Sequence, residues 1–156
     1  MKLFNLSRNL VTKVDDDVHE WIIGLGYKWY CSASGYAVRI HGRENRVVWT
    51  LHRLIIDCPD GMEVDHIDGD KLNNQRSNLR ICNKTQQQGN RNGSRKTGFK
   101  GTIYRGRNRY RKWEAYITKK GKVETLGSFS SEVDAAKAYN VAATEHFGEF
   151  ARLNKV

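Results

Sequence analysis

Proline occurs once in these 156 residues, and cysteine three times, at Cys31, Cys58 and Cys82. So little proline excludes a collagen-like or proline-rich chain. An odd number of scattered cysteines, with no C-x-x-C pair, argues against a disulfide framework and against a thiolate zinc site. A reducing compartment suits such a chain. No apolar run approaches the roughly 20 residues of a membrane span, so no spanning helix is expected and a membrane is not among the expected partners. Met1 to Leu10 has no long apolar stretch followed by small residues, and no signal peptide is expected. Internal repeats and low-complexity stretches are also missing. The length suits one ordinary domain or two small ones.

What is present is positive charge, unevenly placed. Residues 1–88 carry a net charge of +1, residues 89–127 a net of +10 and residues 128–156 a net of −1. Nearly all of the formal +10 therefore sits in one short window. A basic block between near-neutral flanks fits a phosphate backbone. The window also holds Phe99, Tyr104, Tyr110, Trp113 and Tyr116, which can pack on sugars or bases.

Three regions follow along the chain, and the expected fold class is α+β. In residues 1–46, Val11–Val14 reads as a short strand. The acids Asp15 to Asp17 open a helix on which Val18, Trp21, Ile22 and Leu25 recur at helical spacing, with Gly26 as its stop. Tyr27 to His41 has strand character, with a turn at Ser34-Gly35. This region carries no readable chemistry and is expected to support its neighbour. Residues 47–88 hold the candidate chemistry. Residues 89–98 are polar, glycine-containing and basic, as a flexible linker would be. Residues 99–156 read β-β-β-α.

In the middle region, Asp65 stands beside His66, followed by Asp68-Gly69-Asp70, an Asn-rich loop and Ser77-Asn78-Leu79. A histidine near neutral pKa can act as general base toward water. A carboxylate can hold a divalent metal that stabilises charge on a leaving oxygen. Phosphodiester hydrolysis needs both. On one strand the two side chains would point to opposite faces, which constrains how both could serve one site. Asp68-Gly69-Asp70 also suggests calcium, but the remaining ligands of an EF-hand loop are missing.

Leu51-His52-Arg53-Leu54-Ile55, Gly61 through Asp70 and Leu72 through Cys82 resemble the HNH nuclease family in its phage and homing-endonuclease branch. The resemblance implies a ββα-metal module clasping one divalent ion, magnesium first and manganese able to substitute. It implies His66 as general base, Asp65 as metal ligand, and Asn78 as a residue that orients the histidine or braces the loop. His52 would pack behind the site or support it at one remove. The second metal ligand of the family falls on Gln87, where Asn or His is usual. The extra methylene moves the amide oxygen by roughly 1.5 Å. The rival reading is therefore a DNA-binding protein with a weak or disabled HNH site.

In the third region, Phe99–Tyr104, Trp113–Thr118 and Lys122–Leu126 read as strands. Ser131 caps a helix on which Val133, Ala136, Tyr139, Ala143 and Phe147 recur. Gly98-Phe99-Lys100-Gly101, Trp113 through Ile117, Leu126 through Phe129, Ala135 through Tyr139 and Phe147 through Asn154 resemble the Apetala-type, or ethylene-response-factor-like, DNA-binding domain. The resemblance implies an open three-stranded sheet that reads double-stranded DNA in the major groove. Its outward contacts would fall on Lys100, Ile103, Arg105, Tyr116, Thr118, Val123 and Thr125. Lys122 and the longer first turn, with Arg107, Arg109, Arg111 and Lys112, would grip phosphates, as would Arg91, Arg95 and Lys96 of the linker. Together the resemblances imply a metal-dependent endonuclease leaving 3′-hydroxyl and 5′-phosphate ends. A monomer with one such site should nick. A mobile-element role in the cytoplasm of a bacterial or phage-infected cell follows by the same resemblance.

Overall fold

A computed structural model describes residues 1–42, 46–90, 98–106 and 113–156. The chain forms two compact units, Met1–Asn83 and Lys84–Val156.

In the first unit, β1 (Lys2–Asn5) and β2 (Val11–Val14) form an antiparallel hairpin that leads into α1 (Asp16–Gly24). β3 (Tyr30–Cys31), β4 (Ala37–His41) and β5 (Val47–Thr50) make a second antiparallel sheet, followed by α2 (Leu51–Ile55). β6 (Glu63–His66) and β7 (Leu79–Cys82) form a third two-stranded sheet. The core is Leu6, Val14, Val18, Ile22, Trp29, Ala37 and Leu51, drawn from β2, α1, β4 and α2 and from the residues beside β1 and β3. Each such large apolar side chain contributes about 1.5–3 kcal/mol by leaving water. Trp21 does not join them. It stays 42% exposed, because Val18 and Ile22 already fill the inward stripe of so short a helix. β1 carries no strand signal in the sequence and forms by pairing with β2.

The Asp15 carboxylate does not cap its own helix. It accepts from the Arg76 backbone N–H at 2.8 Å, while the Arg76 guanidinium reaches Asp17. A parallel bridge between Lys13 and Asn73 completes the tie. Thus the segment Lys13 to Asp17 is sewn to the loop that follows His66.

In the second unit, α3 (Lys84–Gly89) precedes an antiparallel sheet of β8 (Thr102–Tyr104), β9 (Trp113–Lys119) and β10 (Lys122–Phe129), with β9 in the middle. α4 (Glu132–Phe147) packs on it. The Ser131 hydroxyl accepts from the Asp134 N–H at 3.1 Å, the expected cap. Ala135, Ala136 and Ala143 are fully buried and let the helix approach Ala115 and Ile117 of β9. Val133 departs from the periodic reading: in the first turn it is 42% exposed, turned from the sheet.

The linker reading fails for its first two residues. Gly89 and Asn90 are buried in the second unit, and the Gly89 carbonyl accepts from the Arg152 N–H at 3.0 Å. A Cβ on Gly89 would lie 2.7 Å from the Phe147 ring, so the glycine permits close packing and is no mark of slack. Of the remainder of that segment, 91–97 lie outside the described residues.

Candidate active site

β6 pairs with β7 so that Asp65 faces Arg80 and His66 faces Leu79. The pleat turns neighbouring side chains to opposite faces, and here it does so for Asp65 and His66. On one face, the Asp65 Oδ2 accepts from Arg80 Nε at 2.9 Å and Nη2 at 2.7 Å. Both side chains are largely buried, at 7% and 17% exposure. Removing one partner of such a pair strands the other charge, at a cost of about 3–5 kcal/mol.

On the other face, His66 is buried among polar and aromatic groups. Its Nε2 lies 3.2 Å from the Asn74 Oδ1. The His52 ring meets it edge to face at 5.2 Å between centroids, and the Tyr36 ring lies 6.0 Å away. Burial lowers the His66 pKa, against the bond to Asn74 and the charges of Asp68, Asp65 and Asp70, which act to raise it. At neutral pH the ring is therefore neutral and able to accept a proton. Burial, with His66 and Arg53 nearby, holds His52 at about 3. His52 thus stands as a buried, neutral ring against His66.

The turn between the strands is a closed hydrogen-bond network. The Asn78 Oδ1 accepts from the Asp68 N–H at 3.0 Å, and its Nδ2 donates to Asp68 Oδ1 and to the Asn73 carbonyl. Asn73 Nδ2 donates to Asp68 Oδ2 at 2.8 Å, and the Asp70 N–H to Asp68 Oδ1. Burial works to raise the Asp68 pKa, but these bonds prevail and lower it. Of the two roles open to Asn78, the loop brace is the one built by these contacts. The carboxylates of the Asp68-Gly69-Asp70 segment serve the turn itself.

The side chain set against the His66 Nε2 is Asn74, which the sequence reading passed over, as it did Thr12. Asn74 Nδ2 donates to the Thr12 Oγ1 at 2.7 Å, and Thr12 Oγ1 donates to the Leu72 carbonyl at 2.8 Å. Both residues are fully buried. The one signal in the sequence was the doublet Asn73-Asn74 in a turn where one Asn would have sufficed.

Gln87 lies half-buried on α3, in the second unit. Among the described residues no three His, Cys, Asp or Glu side chains group as a metal site. The donor chemistry still fits a hard cation of the magnesium type, which takes one or two carboxylates and completes its shell with water and substrate phosphate. Asp65 is such a carboxylate.

Of the expected DNA contacts, Tyr116 and Thr125 stand opposite one another on β9 and β10, and Thr118 opposite Val123. These residues leave the face away from α4 open. Lys122 is exposed at the turn between these strands. Arg105 is exposed and pairs with Glu114 at 3.0 Å. Lys100 is turned into its own unit: its ammonium donates to the Gln88 and Gly89 carbonyls, capping α3. Arg91, Arg95, Lys96, Arg107, Arg109, Arg111 and Lys112 lie outside the described residues.

Residues 45–88 match the family described as HNH endonuclease. An uncharacterized HNH endonuclease of Acanthamoeba polyphaga mimivirus is 38% identical over 153 residues, which cover 97% of this chain and 79% of that protein. No solved structure matches. The likeness extends through both units, well past the segment around Asp65 and His66. On that ground the chain belongs to the HNH endonuclease family.

Proposed function

We propose that the chain is a metal-dependent endonuclease that hydrolyses one phosphodiester bond of double-stranded DNA. It nicks as a monomer and is held on its site by the sheet of the second unit. The observation that carries the reading is His66 at the end of β6: buried, neutral, fixed by a hydrogen bond, and adjacent in sequence to the charged carboxylate Asp65.

The chemistry runs as follows. A water O–H bond breaks as the imidazole of His66 takes the proton. The water oxygen bonds to phosphorus, and the bond from phosphorus to the 3′ oxygen breaks. That oxygen takes a proton from solvent water, which leaves a 3′-hydroxyl and a 5′-phosphate. A divalent metal, when bound, stabilises the charge that develops on the phosphate and the leaving oxygen. Asp65 would hold it, and Gln87 keeps the place of second oxygen donor that the family resemblance gives it. Arg80 fixes the Asp65 carboxylate. Asn78 fixes the turn that presents His66.

The second unit supports DNA binding by its composition and by its open face of Tyr116, Thr118 and Thr125. A three-stranded sheet on one helix is also what the Apetala-type resemblance implies. A β-ribbon of this kind fits the major groove.

Supercoiled plasmid tests the reading. Conversion to open circle with magnesium or manganese, its loss in EDTA and its loss in His66→Ala with plasmid affinity retained are the expected results. A base acts in the transition state and not in ground-state binding. Binding without cleavage under either metal would give the molecule to the second reading, a DNA-binding protein with a disabled site. Gln87 is the observation that favours that alternative.

A further inference from the structure

We infer that Thr12 and Asn74 are positioning residues that fix the tautomer of His66, with the proton on Nε2 and the reactive lone pair on Nδ1. The inference rests on the reading of His66 as general base, and it names the atom that does the work.

Amide oxygen and nitrogen cannot be told apart by shape, so the orientation of Asn74 must come from its partners. A serine or threonine hydroxyl has one proton to give. The Thr12 Oγ1 lies 2.8 Å from the Leu72 carbonyl oxygen and 2.7 Å from the Asn74 amide. A carbonyl can only accept, so the hydroxyl proton lies toward Leu72. The hydroxyl oxygen can then only accept from Asn74, and the group facing it is the Nδ2 amine. The Asn74 Oδ1 therefore faces His66. That oxygen has no proton either, so the His66 Nε2 at 3.2 Å must supply one.

Reversing the amide breaks the chain of donors. The single hydroxyl proton would have to serve the Leu72 carbonyl and the Asn74 Oδ1 at once, and one close oxygen pair would be left without a proton. Thr12 and Asn74 are each 0% exposed, so bulk solvent does not reach them. An unmade buried bond of this kind costs about 1–3 kcal/mol. The backbone removes slack as well. The Asn74 N–H donates to the Lys13 carbonyl at 2.8 Å, and the Lys13 N–H to the Leu72 carbonyl at 2.8 Å. The relay therefore runs from a backbone carbonyl through strand β2 to the catalytic ring. In the proposed reaction the proton from water goes to Nδ1, and Nε2 keeps its own.

The test is the long-range nitrogen–proton NMR spectrum of histidine-labelled full-length protein at neutral pH, with His66 assigned by its disappearance in His66→Ala. The expected result is a protonated Nε2 and a bare Nδ1. Thr12→Ser, which keeps the hydroxyl, should preserve both this pattern and the nicking rate. Thr12→Val has nearly the same shape but no hydroxyl. It should give mixed tautomers and a nicking rate lower by at least about tenfold, with plasmid affinity unchanged, since a wrong tautomer is costly to a histidine base. A bare Nε2 in the wild type would overturn the inference whatever the activity. So would a Thr12→Val protein with wild-type tautomer and rate. A protonated Nε2 in a protein that cuts no plasmid would uphold the tautomer and overturn only the nuclease reading.

Discussion

Lowering the pH from 7 to 5 should destabilise the first unit, and His52 should carry about 2 kcal/mol of the loss. Its ring is 7% exposed, and its Nδ1 has no hydrogen-bond partner among the described residues. Burial first, then the neighbouring His66 and Arg53, depress its pKa from 6.5 to about 3. The folded ring thus refuses a proton that the unfolded chain accepts. Between these two values the unfolded state binds more protons, so stability rises with pH across that window. The stability is fully present above pH 6.5 and is lost as the pH falls toward 3. At pH 5 the unfolded histidine is almost wholly charged and the folded one almost wholly neutral, and the linkage amounts to about 2 kcal/mol. That is a large share of the roughly 5–15 kcal/mol that holds a domain folded. Urea unfolding followed by tryptophan fluorescence measures it, because Trp21, Trp29 and Trp49 report on this unit. With an m-value of about 2 kcal/mol/M, the wild-type midpoint should fall by about 1 M more than that of His52→Leu, which cannot titrate there. Equal falls in the two proteins would refute the reasoning and place the acid sensitivity in other groups.

Four further outcomes are expected. Gly101→Ala should destabilise the second unit by about 2 kcal/mol or more in thermal unfolding, because its φ is +73° and a Cβ there would overlap the Tyr139 ring; a neutral result would mean that the ring swings aside freely. Asp65→Asn should abolish metal-dependent nicking and also lower stability, since Arg80 loses the charge it is paired with; unchanged nicking would remove Asp65 from the metal. Gln87→Asn should raise activity or metal affinity in titrations of nicking against magnesium, and a loss would show that the local helix has adapted to the longer side chain. If about 6 phosphates are contacted, plasmid affinity should fall with a log–log salt slope near −5, and a slope near zero would sink the electrostatic account of the basic window.

The second unit was the more legible in sequence. Its strands obey a two-residue alternation, so Ala115 and Ile117 point to the helix and Tyr116 and Thr118 away from it. Ser131 and Gly148 bracket α4 because caps are local chemistry. Val133 misled because periodicity does not show where a helix's contacts begin. In the candidate site, Asp65, His66 and Asn78 could be singled out in sequence because they stand in a local motif. Thr12 and Asn74 were not, since a threonine in a short strand and an asparagine in a turn are ordinary where they stand. Only the register of β2 against the turn brings them together. Lys100 shows the converse limit. Charge predicts a phosphate contact, but the end of α3 supplies carbonyls nearer at hand.

The tie between the N-terminal hairpin and the turn after His66 also bears on when the protein becomes competent during folding. The Asn74–Thr12 bond joins residues 62 apart in sequence, and the Thr12–Leu72 bond joins residues 60 apart. Closing a loop of that length costs chain entropy before any contact repays it. During synthesis the strand holding Thr12 leaves the ribosome long before its partner turn. The ring of His66 can be locked only after β7 has emerged and the first unit has closed on itself. A chain stalled or truncated before residue 83 carries the Asp-His pair without the scaffold that orients it. The long-range topology delays the fixing of the His66 ring until the fold around it is complete.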